Sequence, residues 1–141
     1  MDDRPTALEL VRAVGDFLEQ DLLPATPERR LRYQILIAVS ALRMAERELP
    51  DEEQRLRAEL VALGDLLGLP PAPAPEDISA LRRSVLQANR ELCDQIRRGL
   101  ADDLPWREQV LRHLVAVVED KLRIANPREI EALRVEAAEG P

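Results

Sequence analysis

Apolar residues recur along this chain every three to four positions, the repeat of an α-helix with one face turned inward. Leu10, Val14, Phe17 and Leu18 form a first stripe that runs to about Leu22. Ahead of it, Thr6-Ala-Leu-Glu9 reads as a capping box, in which hydroxyl and carboxylate each accept a free backbone N–H. Pro24 is expected to stop this helix. Thr26-Pro27 reads as the start of a second, with threonine as cap and proline where no donor is needed, running to about Leu49. Asp51 caps a third, with Glu52 and Glu53 in its first turn, where the helix dipole favours acids. Its stripe is Leu56, Leu60, Leu63 and Leu67, and Gly68 ends it.

Four prolines between Leu69 and Pro75 then forbid helix and favour an extended, semi-rigid connector, which we place at residues 68–76. Asp77 starts a fourth helix with Ile78, Leu81, Val85, Leu92 and Ile96 inward, ending at Gly99. Pro105 opens a fifth, whose Val110, Leu111, Leu114, Val117, Val118 and Leu122 are broad enough to meet two neighbours. Asn126-Pro127-Arg-Glu129 closes it and caps a short sixth. The pattern predicts an all-α fold: one helical bundle of five main helices plus a short C-terminal helix. Residues 1–141 are read as a single domain, a length that supports one core without metal or disulfide.

The second helix differs from the others. Leu31, Ile35, Val39 and Leu42 make one face, while Tyr33, Ile37, Ala41 and Met44 lie nearly opposite. A surface helix has one apolar stripe and this one has two. It is either the central helix of the bundle or a helix whose second face meets another chain, with Tyr33, Ile37 and Met44 as the interface.

Composition narrows the chemistry. Aromatic residues are only 2% of the chain, so Leu, Val, Ile and Ala must fill the core, which suits helix packing better than a sheet. The formal charge of −7 disfavours a general nucleic-acid binder, whose affinity comes from clustered Lys and Arg. No basic segment followed by an apolar one opens the chain, and no apolar run of about 18 residues is present to cross a bilayer. A cytoplasmic protein with no membrane association is expected.

Catalytic material is thin: one histidine, one cysteine, one lysine and five glycines. His113 has no Glu-x-x-His partner and reads as a boundary residue beside Val110, Leu114 and Val117, while Cys93 reads as a small core residue. No phosphate loop, nucleophile elbow or dinucleotide fingerprint occurs. No catalytic residue, metal site or cofactor is therefore assigned. The polar group worth attention is Arg47-Glu48 with Lys121 and Asn126, joined by Arg4 at the start of the first helix. Lys121 falls near the seam of the fifth helix, where a lone ammonium needs a carboxylate. This cluster reads as a structural ion-pair lock, with anion binding as the alternative.

Four short stretches also resemble a known pattern. Arg4-Pro5-Thr6-Ala7 with Glu9-Leu10 and Phe17-Leu18, Arg47-Glu48-Leu49, Leu92-Cys93 with Ile96-Arg97 and Gly99, and Lys121-Leu122 with Ile124-Ala125-Asn126-Pro127 look like an uncharacterised bacterial all-helical domain family. The Arg-Pro-Thr start and the Asn-Pro end are its most specific parts, and Ser40 stands where the pattern has Asn. The resemblance implies genes beside acyl-CoA dehydrogenases and aminoglycoside-phosphotransferase-like kinases, and no assigned reaction. Together these readings favour a noncatalytic helical partner protein, homodimeric or bound to a neighbouring metabolic enzyme. The alternative is a bundle that binds a small anion or a CoA-type ligand through Arg4, Arg47 or Lys121.

Overall fold

The computed structural model describes residues 4–70 and 72–139, without the side chains of residues 134 and 136–139. Met1 to Asp3 and Pro71, part of the start and of the connector read above, lie outside the described residues. Among the described residues there is no strand, and 84% are helical. Five main helices are followed by a shorter one: α1 (Ala7–Asp16), α2 (Arg29–Glu48), α3 (Glu52–Leu67), α4 (Ile78–Arg97), α5 (Trp106–Ala125) and α6 (Pro127–Glu139). They fall into two compact units, one up to Pro50 and one from Asp51 onward.

The first unit is a pair of helices. The capping box forms as the sequence predicts: the Glu9 amide donates to Thr6 Oγ1 at 3.2 Å and the Thr6 amide to Glu9 Oε2 at 2.7 Å. Pro24 does not stop the helix at Leu22. The helical backbone passes through a π-helical segment, Phe17–Leu22, and a last turn, Leu23–Ala25. A proline ring collides with the carbonyl four residues back in an α-helix, and the wider π turn ahead of Pro24 relieves that collision. Thr26 then closes this helix instead of capping the next. Its hydroxyl donates to the Leu22 carbonyl at 2.7 Å, and Arg32 Nη1 donates to the carbonyls of Leu23 at 2.6 Å and Thr26 at 3.2 Å. The residue ahead of α2 is Glu28, which makes no side-chain cap.

Gly15 is buried where α1 meets α2, and a Cβ built there would lie 3.8 Å from Leu42 Cβ, so the backbone of α1 approaches closely. Leu8, Val11 and Leu18 share that side at helical spacing and are half-buried; Ile35 and Val39 are buried on α2. Leu10, Val14 and Phe17, expected inward, are instead exposed. Ion pairs fix this rotation. Arg43 donates to Asp16 at 2.8 Å, Glu19 at 2.7 Å and Glu46 at 2.9 Å, and Arg12 donates to Glu46 at 2.7 Å. The pairs 12–46 and 16–43 set the two helices antiparallel. Glu19, Asp16 and Glu46 together hold the Arg43 guanidinium above its ordinary pKa. Arg12 first, and Arg43 second, hold the Glu46 carboxyl below the usual carboxylate value.

The second unit has its core between α3 and α4, joined by α5. Leu63, Leu66, Val85, Ala88, Leu92 and Val110 form it, with Leu56, Leu60, Leu67, Ile96 and Trp106 packed around them. The inward face of α4 is the one the sequence predicts, with Ala88 added. Gly68 ends α3 at φ 65°, a left-handed position that suits glycine, and the amides of Gly68 and Leu69 bond back to Asp65 and Gly64. Asp77 caps α4 by accepting from the Ala80 amide at 2.7 Å. Arg82 reaches Glu52, Asn89 donates to Glu59 at 2.8 Å, and Trp106 Nε1 donates to the Leu66 carbonyl at 2.9 Å, three ties across this core. The fifth helix departs from expectation. Val110 is buried and Val117 and Leu122 half-buried, but Leu111, Leu114 and Val118 are exposed, because α3, α6 and the turn at Leu100–Asp102 cover one side of α5 only.

Two outcomes follow from this packing. Leu63 has no exposed surface, so Leu63→Ala should lower the unfolding free energy by about 2–5 kcal/mol, whereas Leu111→Ala should change it by less than about 0.5 kcal/mol. Urea melts compare them, and equal losses would mean that α5 buries Leu111 after all. Because the folded pKa of Glu46 is lowered, its contribution is present above the carboxylate range and is lost as pH falls through that folded value. Glu46→Gln should therefore melt below the parent at neutral pH, with the gap closing in acid. A gap of constant size down to the acid limit would contradict the pairing.

Candidate functional site

The polar residues singled out from the sequence are divided between the units. Arg4, Arg47 and Glu48 belong to the first, Lys121 and Asn126 to the second. Arg4 lies 3.7 Å from Glu9, whose carboxylate already serves the capping box. Arg47 is half-buried and Glu48 exposed in the last turn of α2, and both are engaged by other groups of the chain. Lys121 is exposed, so water solvates the ammonium and the expected need for a buried carboxylate lapses. Asn126 ends α5: its amide donates to the Leu122 carbonyl at 2.8 Å and its carbonyl accepts from the Glu129 amide at 3.1 Å.

The strongest polar cluster is one the sequence reading passed over, the Arg43 network with Arg12, Asp16, Glu19 and Glu46. Its signal was there to find. Arg12 and Asp16 on α1 and Glu19 in the π-helical segment that continues it stand at i, i+4 and i+7, and Arg43 and Glu46 at i, i+3 on α2, so the sequence spacing puts each set on one face. Each of its five side chains is ion-paired within the cluster, two guanidiniums with three carboxylates, which makes it a clamp between helices.

Nucleophilic and acid–base groups do not converge either. His113 is half-buried on the side of Val110 and Val117, as a boundary residue should be, and its Nε2 is buried without a hydrogen-bond partner among the described residues. Cys93 is exposed, against the expectation of a core position, because it sits about 100° around α4 from Leu92. Among the described residues no three His, Cys, Asp or Glu side chains are grouped to hold a metal ion.

What the chain presents instead is apolar surface. Tyr33, Ile37 and Met44 are 66%, 53% and 39% exposed, so the second face of α2 is not covered by the other helices of the first unit. Leu10, Val14 and Phe17 on α1 and Leu111, Val115 and Val118 on α5 add two further exposed stripes.

No curated protein and no solved structure matches the chain. One family model does, across residues 24–129, from the last turn of the first helix to the first turn of α6. The chain belongs to the family described as Domain of unknown function (DUF6285).

Proposed function

We propose that this chain is a noncatalytic helical partner protein, one that acts by assembling with another polypeptide through its exposed helix faces. The observation that carries the reading is the uncovered face of α2, with Tyr33, Ile37 and Met44 outward on a helix whose other side is already packed. Exposed large apolar residues gathered on one helix face are the surface that association covers. The scarcity of convergent acid, base and nucleophile supports the same reading, since a binding surface requires none of them. No helix among the described residues is long and apolar enough to cross a membrane, so these faces are offered to protein and not to a bilayer interior.

The family match crosses Pro50 and Asp51, taking in α2 of the first unit together with α3, α4 and α5 of the second, and we take residues 1–141 to act as a single domain. The resemblance described above adds the candidates: a bacterial, cytoplasmic setting, and as partners either a copy of this chain or the product of an adjacent gene, an acyl-CoA dehydrogenase or a phosphotransferase-like kinase. The test is coexpression of the chain with each such enzyme, followed by size-exclusion chromatography. A stoichiometric complex, or a stable oligomer of the chain alone, is the expected result. A strict monomer with every candidate, coupled to a raised Tm in the presence of CoA or phosphate, would displace this reading with anion binding at Arg4, Arg47 or Lys121.

A further inference from the structure

We draw no further inference here: the strongest candidate, the exposed apolar face of α2 around Tyr33, Ile37 and Met44, belongs to the assembly reading already proposed, and nothing in the structure shows what covers it.

Discussion

An amphipathic helix is stable only when something covers its apolar face, and in this chain the cover is one-sided. The buried apolar residues line one side of α2 in the first unit and, in the second, one side each of α3 and α4, the start of α5 and Ile130 of α6. Taken unit by unit, the opposite sides of α2 and α5, and a stripe of α1, are left uncovered although they are as apolar as the faces that pack. A leucine left exposed forgoes about 1.5–3 kcal/mol of burial, so whole uncovered stripes represent stabilisation that neither unit recovers by itself. The same deficit explains the architecture of the first unit, where two helices make a layer with no second layer beneath.

Where apolar contact is that scarce, polar contacts decide geometry. Ile35, Val39 and Gly15 hold α1 and α2 together but do not choose which flank of α1 faces inward, since Leu10, Val14 and Phe17 would serve hydrophobically as well as Leu8, Val11 and Leu18. The Arg43 clamp makes the choice. Asp16 and Glu19 can reach a single guanidinium only when that flank is turned toward α2. Individual surface ion pairs contribute little, but a network that shares one arginine among three carboxylates adds direction, and direction is what the sparse contact leaves open. The second unit has less need of this, because the fully buried Leu63, Leu81 and Leu92 already fix its orientation.

The sequence was legible where a residue's role is local. Thr6 with Glu9, Gly68 after α3 and Asp77 before α4 act on backbone groups within a turn, and each stands in the predicted role. The stripe of α4 was legible for a related reason: it has one apolar face, so periodicity alone identifies the inner side. Periodicity fails for α1, α2 and α5, whose apolar residues span more than one face, and there the outcome depends on which neighbours exist. Thr26 shows the same limit at the scale of one side chain. It is a good cap in either direction, and the π segment before Pro24, invisible to a pattern of period 3.6, turns its hydroxyl back to Leu22. The Arg43 clamp needed two helices to be read together, while attention went to Arg47-Glu48, which lie side by side in the chain and so cannot share a helix face.

These two observations constrain function jointly. Arg12, Asp16, Glu19, Arg43 and Glu46 are consumed in holding the first two helices together, and the groups that could bind or transform a small molecule are scattered: His113 beside the core, Cys93 on the outside of α4, Lys121 in water. A ligand site concentrates unsatisfied polar groups in a concavity. Here the uncovered groups are mainly apolar and lie along helix faces, which is what supports the assembly reading proposed above.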